Sequence, residues 1–129
     1  MKNNFSLIFC FILFSFPQDR GENLFGKWQL RKIEIAGLPI IPNKVKYFVE
    51  FSPDNMKYNL AINHCWSNSL KIDSKNILCK DITSTLICCD EREDSISKFI
   101  DYRGVYEIKD SLLIISNTKG IFYLYRMKD

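Results

Sequence analysis

Alternation of apolar and polar residues runs through most of the chain and predicts β-strands. Trp28 and Leu30 alternate with polar neighbours, and apolar residues occupy every second position of residues 47–51 and 56–62. A period of two places one face of a strand against a core and the other face in solvent. The Pro-Asp-Asn sequence between the last two segments is typical of a turn, so we expect these segments to form a hairpin.

The same pattern predicts further strands along the rest of the chain. They are expected at residues 70–72, 77–79, 105–108, 112–115 and 121–125, with a short additional strand around residues 82–87. The alternation that starts at Trp28 changes phase before Ile33, which predicts a bulge or bend near Arg31. Residues 37–43 contain glycine and proline and are expected to form a loop.

One segment departs from this period and predicts an α-helix at about residues 91–102. Asp90 and Glu93 have the spacing of a capping box, in which a side-chain oxygen satisfies a free amide of the first helical turn. Apolar residues follow at helical spacing as far as Ile100. Gly104 stands where a residue with left-handed backbone would end the helix.

Together these elements predict one α+β domain. Consecutive strands joined by short turns favour an antiparallel sheet, and a sheet of about seven or eight strands is expected to curve or to form a partly open barrel. The helix would fill or cover one side of that sheet.

The first 17 residues are expected to be a cleavable secretory signal peptide. Lys2 supplies positive charge, and residues 5–16 are apolar apart from two serines. This run is shorter than the ~20 apolar residues that span a bilayer, and the later apolar runs are the size of strands. We therefore expect a short polar linker at residues 18–23, a single domain at residues 24–129, and no transmembrane helix after signal cleavage.

Cys10 raises lipid attachment as an alternative. The cysteine of a lipoprotein follows the apolar run and a few small residues, whereas Cys10 follows Phe9 and precedes more apolar residues. We therefore expect release into the periplasm or outside the cell, and a lipid anchor is the less favoured reading.

Composition narrows the range of partners. The formal net charge is +3, and residues of both signs are interspersed along the chain. Without a basic run or stripe beside the aromatic residues, we expect no nucleic-acid binding. Aromatic residues make up 14% of the chain and fall in the predicted strands, which indicates a core first of all. We expect a monomer.

His64 and Cys65 are the sharpest candidates for catalysis, because a cysteine and a histidine can form a nucleophilic pair. Adjacent residues of a strand point to opposite faces, so these two side chains should not reach each other. The chain also lacks a G-x-S-x-G, glycine-rich phosphate-loop or H-E-x-x-H sequence. We expect no enzymatic activity, no catalytic residue and no cofactor.

Four cysteines remain after the signal peptide, namely Cys65, Cys79, Cys88 and Cys89. An even number in an exported chain favours disulfides, and the absence of C-x-x-C pairs disfavours a zinc site, so we expect no metal. Three connectivities are open, although a bond between Cys88 and Cys89 would strain the backbone. A Cys65–Cys89 bond would close a loop of about 25 residues and add roughly 3.5 kcal/mol. Cys79 and Cys88 are less certain, and either could remain a free thiol.

The order of several short motifs resembles the META domain family, which includes the HslJ-like bacterial envelope proteins. The matching motifs are the opening Leu24-Phe25-Gly26-Lys27-Trp28, Cys65, the Ser84 to Cys89 segment and the closing Tyr123-Leu124-Tyr125-Arg126. It spans residues 24–127. Gly26, Trp28 and Thr85 are the residues that carry the family motifs, and Cys89 matches the family cysteine four residues after the threonine.

This resemblance implies a small antiparallel β domain with one helix and a binding, structural or stress-related role in the cell envelope. It supplies no catalytic residues. The chain departs from the family at His64-Cys65-Trp66, where a glycine usually precedes the cysteine, and at Cys88, where a small residue is usual.

A lipocalin-like carrier is the alternative. Gly26-x-Trp28 near the start of the mature chain also resembles the opening of that family. A barrel of about eight strands can hold one small apolar ligand, so the partner would then be such a ligand rather than an unknown protein. We expect Trp28 to plug the core rather than to contact a ligand.

Overall fold

The computed structural model describes residues 22–43, 45–85 and 96–128, and most of them belong to strands. These strands are β1 (Gly26–Ile35), β2 (Leu38–Ile40), β3 (Phe48–Phe51), β4 (Met56–Asn59), β5 (His64–Ser67), β6 (Leu70–Ile72), β7 (Asn76–Cys79), β8 (Thr83–Ser84), β9 (Gly104–Lys109), β10 (Leu112–Asn117) and β11 (Gly120–Arg126). Two single turns of 3-10 helix accompany them, at Glu22–Leu24 and Ser97–Phe99.

The strands form one antiparallel sheet that curls into a half-barrel. Its order is β6-β7-β9-β10-β11-β1-β3-β4-β5-β8, and β2 pairs with the far end of β1. The first long strand therefore lies beside the last one. This pairing of distant segments brings the two ends of the domain together and confirms the predicted antiparallel, curved sheet.

The predicted irregularity near Arg31 is confirmed. Strand β1 pairs with β11 in two stretches, and the register shifts between Leu30 and Lys32. An extra residue on one strand bends it and increases its twist. The bulge lets the ten-residue strand pair with β3 through its first half and with β2 through its second half.

The number of strands differs from the prediction of seven or eight, because eleven are present among the described residues. Part of the excess comes from β2, which occupies the expected loop at residues 37–43. Ala36 and Gly37 both have positive φ, at 53° and 81°. Two such residues in succession form the tight turn that suits a twisted hairpin, so the chain folds straight back along β1.

The predicted helix at residues 91–102 is not confirmed. Its first part, residues 91–95, lies outside the described residues. From Ile96 onward the chain makes only the 3-10 turn Ser97–Phe99, and Ile100 is already extended at φ −78° and ψ 120°. Ile100 and Tyr102 are buried while the residues beside them are half-exposed, so packing against the core imposes a period of two on this stretch.

Gly104 also has a different role from the predicted helix cap. It is the first residue of β9, with φ +139°. A Cβ atom there would collide with the backbone oxygen of Ser116 on the neighbouring strand. Glycine is therefore needed for the close approach of β9 and β10.

The concave side of the sheet is filled by large side chains. The fully buried ones include Trp28, Tyr47, Phe51, Tyr102 and Phe122. Aromatic edges pack against one another there, with ring centroids 5.2 Å apart for Tyr58 and Tyr102. In the part of the chain described, no helix is long and apolar enough to cross a membrane.

Candidate functional site

Trp28 is a core residue of β1, where β11 and β3 pair on either side of it. Its ring is fully buried, and its indole Nε1 donates a hydrogen bond of 2.8 Å to the carbonyl oxygen of Leu24. The guanidinium of Arg126, which lies opposite Trp28 on β11, stacks 4.1 Å from the ring centroid. Trp28 is thus part of the core, with a cation covering its face.

Gly26 makes room for this arrangement. The Arg126 guanidinium donates hydrogen bonds to the backbone oxygens of Phe25, at 3.0 Å, and of Asn23. A Cβ atom on Gly26 would lie 3.1 Å from Arg126 Nη1, and φ at Gly26 is +120°. The two motif residues Gly26 and Trp28 therefore act together in joining the first and last strands.

Cys65 lies in the interior beside a buried group of tyrosines. Cys65 is 4% exposed and lies directly opposite Tyr58 of β4. Burial, followed by the nearby Cys65, raises the pKa of Tyr58. Burial and then Tyr58 likewise raise the pKa of Tyr102, whose hydroxyl has no hydrogen-bond partner among the described residues. The raised pKa values keep both tyrosine hydroxyls protonated at neutral pH.

The expected disulfide stays a prediction. Cys65 and Cys79 are not bonded to each other or to any other described residue. Cys88 and Cys89 lie outside the described residues. The half-buried thiol of Cys79 is 4.0 Å from Ser69 Oγ, at the corner where β5 turns into β6.

The catalytic pairing of His64 with Cys65 is not formed. His64 is exposed and Cys65 is buried, because the strand turns their side chains to opposite faces, as the sequence predicted. The third motif residue, Thr85, supports this strand from its edge. Its hydroxyl accepts a 3.0 Å hydrogen bond from the His64 backbone N–H and donates one of 3.0 Å to Asn63 Oδ1.

Asp101 and Arg103 form the best-defined ion pair among the described residues. Two guanidinium nitrogens, Nε and Nη2, each donate to the carboxylate at 2.9 Å. Burial of Asp101 acts to raise its pKa, but the hydrogen bonds and charge of Arg103 outweigh burial, so the pKa is lowered. The pair fixes the extended stretch that leads into β9.

A groove of about 370 Å³ lies on the convex face of β1, β3, β4 and β5, and we call it the outer groove. The outward side chains that line it are Lys27, Phe48, Glu50, Lys57, Asn59, His64 and Trp66. The strand register places Lys27, Glu50, Lys57 and Trp66 in one row across the four strands. Directly opposite residues of antiparallel strands share a face, so this row is continuous.

The outer groove combines aromatic surface with hydrogen-bonding groups. Trp66 is 37% exposed, and the Lys27 ammonium lies 4.7 Å from the centroid of the Phe48 ring. The side chain of Asn59 already has two hydrogen-bond partners: its Oδ1 accepts from the Phe48 backbone N–H, and its Nδ2 donates to the Lys46 backbone oxygen. Lys57 and His64 are exposed, and Glu50 is half-buried. Such a surface can bind a partner by stacking and by directional polar contacts.

Sequence reasoning missed the outer groove. In β5, His64 and Trp66 face outward and alternate with the buried Cys65. The sequence therefore contained the information on which residues of this strand face outward. The missing information was the register of four strands, which aligns residues that lie as far apart as Lys27 and Trp66. Contacts of this kind are set by the whole sheet rather than by local sequence.

No protein-family model, curated protein or solved structure matches this chain. The site therefore has to be interpreted from its own chemistry. Within the described ranges, no group of three or more histidine, cysteine, aspartate or glutamate side chains is arranged to hold a metal ion.

Proposed function

We propose that this protein is an exported, non-enzymatic META-like domain that acts in the cell envelope by binding a partner at the outer groove. The observation that carries the proposal is the contrast between the two faces of the sheet. The concave face is occupied by fully buried aromatic side chains such as Trp28 and Tyr102, whereas the convex face presents Trp66, Lys57 and His64 to solvent.

The arrangement around His64 supports a role other than catalysis. A nucleophilic mechanism needs a thiol or hydroxyl within hydrogen-bond reach of a base. Here Cys65 is buried on the opposite face of the strand, across from Tyr58 of β4. A reproducible turnover that His64→Ala abolishes would contradict the proposal.

Site-specific crosslinking in cells tests the binding face. A photo-crosslinking amino acid at position 66 should yield a defined adduct. The same amino acid at Leu78 should not, since that residue is also exposed but lies on β7. Adducts from neither position, or equally from both, would contradict binding at the outer groove. Fractionation of the same cells should recover the chain without its leader, and an uncleaved cytoplasmic chain would contradict export.

A lipocalin-like carrier is a second candidate, favoured by the curling of the antiparallel sheet into a half-barrel. The first and last strands pair, and the Gly26-x-Trp28 segment sits at that junction under Arg126. A carrier would hold its apolar ligand on the concave side, which requires the buried aromatic residues to leave room. A ligand that copurifies with the protein would favour this candidate.

A further inference from the structure

Exposed apolar side chains gather around the β1–β2 hairpin. Leu38 is 69% exposed and Ile41 is 59% exposed, and the turn residues between β1 and β2 are exposed as well. Tyr125, 46% exposed, faces outward on the adjoining strand β11. Large apolar residues exposed in a group, rather than singly, indicate a contact surface.

Basic groups border these apolar residues. A groove of about 740 Å³ separates Tyr125 from the chain that follows β2, and Ile41, Arg31 and Lys46 line it together with neutral residues. Arg31 lies 5.8 Å from the centre of the Tyr125 ring. None of the carboxylates that the structure describes lines this groove or pairs with Arg31 or Lys46. The surface is therefore apolar and cationic at once.

We propose that these five residues, Leu38, Ile41, Tyr125, Arg31 and Lys46, form a hairpin patch that docks on the surface of an anionic lipid bilayer. Aliphatic side chains enter the boundary between headgroups and acyl chains, and tyrosine is enriched at that depth. Arginine and lysine are attracted by the negative surface potential of anionic lipid. The hairpin patch contains aliphatic, tyrosine and basic side chains together.

The charge of the patch favours anionic lipid, because Arg31 and Lys46 border the exposed apolar side chains and no described carboxylate lines the groove between them. This inference goes beyond the proposed function, because the hairpin patch and the outer groove have no residue in common, and either proposal can fail without the other.

Vesicle sedimentation tests this docking. The chain from Gln18 to Asp129 should be used, because residues 5–16 would bind lipid by themselves. All the described strands lie within Gly26–Arg126, so the shortened chain contains the fold. We expect binding to phosphatidylcholine vesicles that contain about a third phosphatidylglycerol, weak binding to pure phosphatidylcholine, and loss of binding as sodium chloride is added.

Two variants locate the contact. The double variant Leu38→Asn/Ile41→Asn should reduce binding to the anionic vesicles about tenfold or more, and Leu78→Asn, at an equally exposed leucine on β7, should leave it unchanged. Arg31→Gln should weaken it about fivefold, the equivalent of about 1 kcal/mol for one surface cation. The thermal unfolding midpoint of each variant verifies that the domain remains folded.

Four results would overturn the proposal. They are no sedimentation with anionic vesicles, equal sedimentation with both kinds of vesicle, binding that the double variant does not reduce, and a dimer in sedimentation equilibrium that the double variant dissociates. The last result would assign the hairpin patch to a second copy of the chain instead of lipid.

Discussion

The buried hydroxyl of Tyr102 lowers the stability of the fold, whereas the aromatic ring that carries it raises that stability. It is buried without a hydrogen-bond partner among the described residues, and the Tyr102 ring packs edge-on against that of Tyr58. A buried polar atom that loses its water without gaining a partner costs about 1–3 kcal/mol. The aromatic ring of Tyr102, in contrast, contributes to the core through its edge contacts with Tyr58 and Phe122.

We therefore expect Tyr102→Phe to leave the free energy of unfolding unchanged or to raise it by about 1 kcal/mol, because only the unpaired oxygen is removed. The matched variant Tyr106→Phe should lower it by about 1 kcal/mol, since the 2.7 Å hydrogen bond that the Tyr106 hydroxyl donates to the backbone oxygen of Asp73 is lost. Urea denaturation of both variants measures the difference. A large loss of stability in Tyr102→Phe would mean that the hydroxyl has a partner.

The ion pair of Asp101 and Arg103 predicts how stability depends on pH. The folded protein lowers the pKa of Asp101 below its ordinary value of 3.8, so the stabilisation is complete above pH 3.8 and is lost as the pH falls further. At neutral pH, Asp101→Asn should cost about 1 kcal/mol, a modest value because solvent screens the half-exposed Arg103.

The difference in stability between Asp101→Asn and the natural protein should shrink as the pH is lowered below 3.8, since protonation removes the charge that Arg103 stabilises. Asp81→Asn, at an exposed carboxylate, serves as the control and should differ little from the natural protein throughout. A difference for Asp101→Asn that does not shrink as the pH falls would contradict the assigned role of the charge.

At the scale of elements, local pattern predicted the strands better than it predicted the segment before β9. The period of two placed β3, β4, β10 and β11 correctly, because each of these strands has one face on the core. The helical spacing before Ile100 was misleading, since Tyr102 and Ile100 are drawn into the core as alternating residues of extended chain. Tertiary packing outweighs a weak helical preference.

Gly104 and Gly37 both have positive φ, but only a Cβ atom at Gly104 would also collide with a neighbouring strand. Gly104→Ala should destabilise the domain by about 3 kcal/mol or more, because the new Cβ meets the backbone of Ser116 and φ is positive. Gly37→Asn should cost less than about 1 kcal/mol, since nothing lies near that position and asparagine tolerates the left-handed region. Thermal unfolding compares them, and equal losses would contradict the close approach of β9 and β10.

At the scale of the whole molecule, the pairing between strands that are distant in the chain could not be predicted from the sequence. The composition and the alternation predicted an antiparallel curved sheet, but nothing local specifies that β1 lies between β3 and β11. That order creates both the junction of Trp28 with Arg126 and the row of side chains in the outer groove. The motif residues Gly26 and Trp28 could be identified from the sequence. Their contact with Arg126 could not, because it depends on the pairing of β1 with β11.

The central claim is that the domain binds on its convex face and keeps a packed interior. Native mass spectrometry of the purified mature chain tests it most directly. We expect the mass of the polypeptide alone, with no lipid or other apolar molecule retained, because buried aromatic side chains occupy the concave side. A stoichiometric apolar adduct that survives native conditions and leaves on denaturation would contradict the claim and favour the carrier.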